Sequence, residues 1–209
     1  MLRLDDQLRE RITRNLGKFE LRSIDDGSLM PAAVAIVIAN TVDYKEACVL
    51  LTRRSRGMSR HAGQYALPGG RIEAGETPRE AALRELQEEL HLSVDERDIL
   101  GMLDDYPTRS GFRIRPVVAW VGKIGQIEPD PGEVEGVFRI HLSDLMSVEI
   151  PDFEAAGEAG EPVMSAALPS LGDRLYAPAA AILYQFREVA LYGRSTRVAH
   201  FGQPVFAWR

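Results

Sequence analysis

Apolar residues alternate along the chain between helical and extended spacing. They stand four apart through residues 4–16, which predicts an amphipathic N-terminal helix. Two short runs rich in β-branched residues follow at 32–38 and 47–52, joined by a polar connection. Such a pair predicts a β-hairpin.

The second half of the chain continues in the same way. Residues 113–121 and 134–140 predict two further strands, residues 179–191 return to helical spacing, and the tail at 198–208 resembles a strand. Residues 151–177 are rich in Pro, Gly and acidic residues without a sustained period. That composition predicts a long loop.

The clearest helix signals lie just beyond residue 76. Thr77 is a favourable N-cap, Pro78 suits the first helical position, and Glu80 completes a Thr-x-x-Glu capping box. The helix is therefore expected to begin at Thr77.

This helix carries two chemically different faces. Its apolar stripe is Leu83, Leu86 and Leu90. Beside the stripe lie Glu85, Glu88 and Glu89, at i, i+3 and i+4. Like charges four apart destabilise a helix by roughly 0.2–0.5 kcal/mol per pair, and a bound cation would remove that cost. The alternative is a solvated surface helix in which Arg84 pairs with Glu88.

Composition limits the chemistry that this helix can support. At 209 residues with 45% hydrophobic residues, the chain fits one large domain at 30–209 with an N-terminal helical arm at 1–29. A net charge of −6 argues against nucleic acid as the main partner. One cysteine and four histidines cannot build a zinc or disulfide framework. Carboxylate ligands instead favour Mg²⁺ or Mn²⁺.

The sequence leads us to expect neither a signal peptide nor a membrane span. The N-terminus is charged and helical, and no apolar stretch approaches the ~20 residues of a membrane span. We therefore expect a soluble, cytoplasmic protein without a membrane partner. Cys48 lies in an apolar run and is expected to be a small buried hydrophobe. The N-terminal helix and the tail could cap the domain or form the interface of a homodimer.

The spacing Gly-x5-Glu-x7-Arg-Glu-Leu-Gln-Glu-Glu over residues 70–89 resembles the Nudix box, the signature of the Nudix hydrolases. One position departs, because His91 stands where the family has Gly before the last apolar residue. Gly there resembles a left-handed helix terminator, which His adopts at a cost on the order of 1 kcal/mol. The resemblance implies an α/β fold, a Nudix-type α-β-α sandwich with a mixed sheet, and hydrolysis of a diphosphate linkage.

The same resemblance implies site residues. Glu85, Glu88 and Glu89 would hold Mg²⁺ or Mn²⁺, with the backbone carbonyl of Gly70. Arg84 would act with them, and Glu76 would support the site by pairing with Arg84. Nudix enzymes often use one further acid from a loop. The candidates for that acid are Glu133 and Glu135.

The segment upstream is more specific. Residues 50–70 contain Leu-Leu-Thr-x-Arg-Ser and then His-x-Gly-Gln running into Pro-Gly-Gly, which resembles the signature of the coenzyme A pyrophosphatase branch of the family. Tyr65 and Leu67 stand where that branch often has Val and Phe. The resemblance implies coenzyme A, or a derivative, as substrate, with 3′,5′-ADP and 4′-phosphopantetheine as products. The implied substrate-binding residues are Arg53, Arg54, His61, Gly69 and Gly70.

Guanidinium groups also suit phosphate on physical grounds, because they bind its oxygens bidentately. Some of these arginines could instead neutralise neighbouring acids. Two other functions stay open. An ADP-ribose or other nucleoside-diphosphate-sugar pyrophosphatase would carry the same box. A non-catalytic Nudix-fold ligand-binding module would show no Mg²⁺-dependent turnover of any diphosphate.

Overall fold

The computed structural model describes residues 2–57, 62–147, 150–154 and 162–204. Its helices are α1 (Asp6–Lys18), α2 (Pro78–Leu90), α3 (Leu142–Leu145) and α4 (Ala179–Phe186), which continues as a π-helix at Arg187–Leu191. A 3₁₀ turn lies at Glu96–Asp98. The strands are β1 (Met30–Asn40), β2 (Ala47–Arg54), β3 (Tyr65–Ala66), β4 (Gly69–Arg71), β5 (Ile99–Met102), β6 (Tyr106–Pro107), β7 (Phe112–Gly122), β8 (Val134–His141), β9 (Asp152–Glu154), β10 (Val163–Leu168) and β11 (Asp173–Tyr176).

The main sheet is mixed. Its path runs β3-β2-β1-β7-β5, with β4 paired to β1, β6 to β7 and β8 to β2. β1 and β7 are parallel, and the other pairs are antiparallel. The predicted hairpin of residues 32–38 and 47–52 is confirmed as β1 and β2, and the predicted strands at 113–121 and 134–140 are β7 and β8.

Side chains alternate across β1 because successive residues of a strand point to opposite faces. Ile36 and Ile38 join the larger apolar cluster, which includes the buried face of α1 and most of α4. Ala35 and Val37 join the smaller cluster beneath α2. Helices thus cover both faces of the mixed sheet, and the α/β sandwich expected from the sequence is confirmed.

The start of α2 follows its sequence signals. The Thr77 side chain accepts a hydrogen bond from the Glu80 backbone, and the Glu80 carboxylate accepts one from the Thr77 backbone. The apolar face differs in one position from the prediction. Leu86 and Leu90 are buried, but Leu83 is only half-buried and Ala82 is buried in its place. Small side chains fit here because α2 packs closely on β1 and β4.

Two predictions for the C-terminal region need correction. Residues 151–177 are not a structureless loop, because β9, β10 and β11 form a separate antiparallel sheet there. Residues 163–168 form a nearly fully buried strand. The sequence predicts a loop here because the apolar run is short and lies in a region rich in Pro and Gly. Of the strand predicted at 198–208, the described residues 198–204 contain a single β-bridge, between Gly202 and Val163. Within the described ranges, no helix has the length and apolar character needed to cross a membrane.

Candidate active site

The short strand β4 and the helix α2 meet at a pair of glycines. The Gly69 backbone N–H donates to Oε2 of Glu89 at 3.2 Å. A β-carbon on Gly70 would overlap the carboxylate of Glu85. A β-carbon on Gly69 would overlap the backbone of Ala33 on β1. Glycine at position 69 therefore lets β4 approach β1, and glycine at position 70 leaves room for the Glu85 carboxylate of α2.

Arg84 lies at the centre of a network on the same helix. Its guanidinium donates to Glu76 at 2.8 and 3.2 Å, to Glu85 at 2.9 Å and to Glu88 at 2.9 Å. It also donates to the backbone carbonyl of Arg71 at 2.9 Å. The predicted contact between Arg84 and Glu76 is therefore present. One guanidinium fixes the loop, the strand and two of the three helix carboxylates together.

The three carboxylates differ in environment. Glu89 is 3% exposed, and its burial, together with repulsion from Glu85, raises the pKa of its carboxyl to about 8. Burial also raises the pKa of Glu85. Glu88 is half exposed at its side chain. A buried carboxylate beside other carboxylates is costly unless a positive charge compensates it.

The donor set suits a hard divalent cation. Its members would be Glu85, Glu88, Glu89 and the Gly70 carbonyl, all of them oxygen donors of the kind that Mg²⁺ and Mn²⁺ prefer. In the part of the chain that the structure describes, no three Asp, Glu, His or Cys side chains are already gathered as a metal cage. Arg84 donates from the same nitrogen to Glu85 and Glu88. A bound cation would compete with Arg84 for them.

The predicted residues around the helix separate into two groups. Arg54 and Glu133 line the same cleft as Gly69, Gly70 and the acidic face of α2. Nε of Arg54 is buried and has no hydrogen-bond partner among the described residues. The charges of Arg54 and Glu133 both act on the pKa of Glu89, and Arg54 lowers it. Arg54 thus provides a cation beside the carboxylates.

The other group lies elsewhere. Arg53 does not line the cleft; it donates to Glu135 at 3.0 Å, and Arg56 lies 3.6 Å from the same carboxylate. Alternation along β2 explains this, since Arg53 and Arg54 point to opposite faces. Of the two candidate acids, Glu133 faces the cleft and Glu135 does not. The prediction for His61 lies outside the described residues.

The cleft has a volume of about 990 Å³. Part of its lining comes from segments that the sequence analysis did not connect with the site. These residues are Thr108, Arg109, Ser110 and Phe112 of the β6–β7 turn, and Pro178, Ala179, Ile182 and Gln203 of the C-terminal region. No local signal marks them, because they reach the site only through the packing of distant segments.

The comparisons with known proteins agree on one family. The NUDIX domain family matches residues 29–160. An uncharacterized Nudix hydrolase, NudL, of Pectobacterium atrosepticum is 35% identical over 117 residues, covering 54% of this chain and 60% of that protein. Nudix hydrolase 3 of Caenorhabditis elegans is 33% identical over 129 residues, covering 60% of this chain and 53% of that protein. The chain therefore spans less than two thirds of either relative.

Among solved structures, a MutT/nudix family protein from Enterococcus faecalis superposes with a TM-score of 0.46 at 18% identity. The superposition covers 72% of this chain and 52% of that one.

Proposed function

Because the chain belongs to the NUDIX domain family, we propose that it is a Mg²⁺- or Mn²⁺-dependent hydrolase of a diphosphate linkage in a nucleoside diphosphate derivative. We further propose that the substrate is coenzyme A or a derivative, cleaved to 3′,5′-ADP and 4′-phosphopantetheine. The observation that carries this is the meeting of two sequence motifs in one cleft. Arg54, from the upstream segment, lines the cleft with Glu85 and Glu89 of the helix.

Arg54 supports an anionic substrate in particular. Its Nε is buried without a hydrogen-bond partner among the described residues, and an unsatisfied buried donor is costly. Since Nε itself is closed to solvent, a phosphate oxygen in the cleft would accept charge-assisted hydrogen bonds from the terminal nitrogens of this guanidinium. A diphosphate brings such oxygens next to the carboxylates of α2, where the proposed metal would lie.

The roles of the chain's own groups follow from their contacts. Gly69 orients Glu89 through its N–H, and Arg84 orients Glu85 and Glu88. A divalent cation held there would neutralise the diphosphate and lower the pKa of a water for attack on phosphorus. Glu76 fixes Arg84 and acts through it, because it contacts Arg84 and lies at the loop preceding the helix. Glu133 provides a further carboxylate in the cleft.

The test is product analysis by mass spectrometry. The protein would be incubated with coenzyme A and, separately, with ADP-ribose, in the presence of Mg²⁺. The matched variants are Glu89→Gln, which removes a cleft carboxylate, and Glu10→Gln, which removes an exposed carboxylate on α1. We expect 3′,5′-ADP from coenzyme A with the wild-type protein and Glu10→Gln, and at least a 100-fold slower release with Glu89→Gln.

The other outcomes are informative. Cleavage of ADP-ribose alone would reject coenzyme A and keep the diphosphate hydrolase. Absence of turnover on both substrates, and on a wider set of diphosphates, would favour a ligand-binding module that has kept the Nudix fold.

A further inference from the structure

The cleft continues beyond the charged groups along an apolar wall. Val34 of β1 and Ile114 of β7 are half-buried, lie on the same face of the sheet and line the cleft. Ala179 and Ile182 of α4 belong to the same apolar cluster and also line the cleft. These four residues are called the aliphatic wall below.

The sheet register gives the position of the wall relative to the site. Val34 is the direct pairing partner of Gly69, whose N–H orients Glu89. Ile114 pairs with Ala32, which in turn pairs with Arg71 at the end of β4. Ile114 therefore lies two strands, or roughly 10 Å, from β4. Val34 and Ile114 lie on the α4 face of the sheet, opposite to α2, and one cleft joins this face to the glycines of β4.

The wall distinguishes the two halves of the proposed substrate. Its four side chains are uncharged and have no hydrogen-bonding groups. The nucleotide half of coenzyme A carries a 3′-phosphate, and burying that charge against aliphatic groups is costly. The pantetheine half is uncharged beyond its phosphate. Its methylene and methyl groups gain free energy on leaving water, while its two amides and its hydroxyl need polar partners elsewhere in the cleft.

One aromatic ring beside the wall already has a partner on one of its faces. Phe112 is the aromatic residue two positions before Ile114 on β7, on the same side of the strand. The Arg71 guanidinium already lies 5.6 Å from the centre of the Phe112 ring. This cation–π contact covers one face of the ring.

We propose that the aliphatic wall is the binding site for the pantetheine arm, and that Ile114 and Ile182 determine specificity for it. This proposal takes the identity of the substrate from the proposed function. Ala179 and Ile182 come from α4, beyond residues 29–160 that match the family. The C-terminal region thus contributes to substrate choice, and the family-matched region contributes the catalytic groups.

The C-terminal tail is also fixed at the cleft. Gln203, 4% exposed, donates to the Pro107 carbonyl at 3.1 Å and accepts from the Arg109 backbone at 3.4 Å. These contacts join the tail to the β6–β7 turn, while Ala179 and Ile182 of α4 pack in the same apolar cluster as Val34 and Ile114.

Calorimetric binding of the two product halves tests the proposal without turnover. The probes are 4′-phosphopantetheine and 3′,5′-ADP, each titrated into the protein with Mg²⁺. The variants are Ile114→Gln, at a half-buried position, and Ile182→Ala, at a buried one. The matched controls are Ile99→Gln, half-buried on β5, and Ile12→Ala, buried on α1; neither residue lines the cleft.

We expect both wall variants to weaken binding of 4′-phosphopantetheine about tenfold, and that of 3′,5′-ADP less than about twofold. The controls should leave both constants unchanged. If Ile182→Ala fails to fold, Ile114→Gln alone decides. A selective loss of 3′,5′-ADP binding would overturn the proposal, as would unchanged binding of both halves or no binding of 4′-phosphopantetheine to the wild-type protein.

Hydrolysis of coenzyme A, measured in parallel, separates the two claims. Cleavage of coenzyme A together with unchanged 4′-phosphopantetheine binding in the wall variants rejects the wall and keeps the proposed function. Selective loss of 4′-phosphopantetheine binding without any cleavage of coenzyme A supports the wall and rejects the proposed function.

Discussion

Oε1 of Glu85 occupies the space that a β-carbon on Gly70 would need. The strand β4 and the Glu85 carboxylate of α2 are therefore in direct contact, and Arg84 donates to that carboxylate at 2.9 Å. Any side chain at position 70 must displace Glu85 from Arg84.

Replacing Gly70 by alanine is expected to lower kcat/KM about 100-fold, because a displacement of a catalytic group by about 1 Å costs that much. Stability should change little, since the carboxylate can move away. Steady-state kinetics and urea unfolding measure the two effects. Gly17→Ala is the control: nothing lies within 4 Å of the added carbon, and this position in α1 should gain about 0.5–1 kcal/mol without loss of activity. If Gly70→Ala were as active as the wild-type protein, the close contact between Gly70 and Glu85 would not matter for catalysis.

Arg84→Lys is expected to lower kcat by about 10- to 100-fold, close to the effect of Arg84→Ala. One ammonium cannot replace a planar guanidinium that reaches Glu76, Glu85, Glu88 and a backbone carbonyl at once. Because Arg84 orients the carboxylates, its replacement should change kcat more than KM. Arg79→Lys, on the same helix and paired with Glu96 only at 3.9 Å, should be neutral. Full rescue by lysine at position 84 would show that charge alone suffices.

His91→Gly is expected to stabilise the protein by roughly 0.5–1 kcal/mol without changing kcat. His91 ends α2 at φ 52° and ψ 30°, a left-handed conformation that glycine adopts without a steric cost. The gain is reduced by loss of the contact between Nδ1 of His91 and the Glu128 carbonyl at 2.8 Å. Thermal unfolding measures it. His91→Ala loses that contact and keeps the strain, so it should destabilise; a stabilised alanine variant would be inconsistent with this account.

Cys48 is expected to resist alkylation by iodoacetamide in the folded protein up to about pH 9. Its side chain is fully buried, burial raises the pKa of the thiol to about 12, and the sulfur lies 3.0 Å from the Asn40 carbonyl. The thiolate is the reactive form. The unfolded chain, whose thiol has an ordinary pKa near 9, should react rapidly in urea.

The same shift has a consequence for stability. The folded pKa of Cys48 is higher than the unfolded one, so the folded state binds more protons between about pH 9 and 12. The contribution of Cys48 to the free energy of unfolding is therefore complete below pH 9 and decreases as pH rises above it. Cys48→Ala should remove that part of the pH dependence in urea titrations at pH 8 and pH 10. An identical decrease in the variant would assign it to other groups.

Much of this protein can be read from local sequence. The hairpin of β1 and β2, the strands β7 and β8 and the capping box of α2 depend on neighbouring residues alone, so periodicity and capping preferences predict them. The left-handed end of α2 at His91 is implied by the resemblance to the Nudix box, and the structure has it. The spacing of Gly70, Arg84 and the helix carboxylates likewise determines the charged half of the site, because strand, loop and helix are consecutive.

The remainder required the tertiary structure. The alternation of β2 separates Arg54 from Arg53, and the register shift of β8 opposite these two residues leaves Glu133 but not Glu135 in the cleft. The strand at 163–168 pairs with β9 and β11 and is buried in the larger apolar cluster, and its own short sequence does not distinguish it from a loop. The aliphatic wall combines β1, β7 and α4. No local pattern encodes it, since burial and proximity arise from packing of segments far apart in the chain.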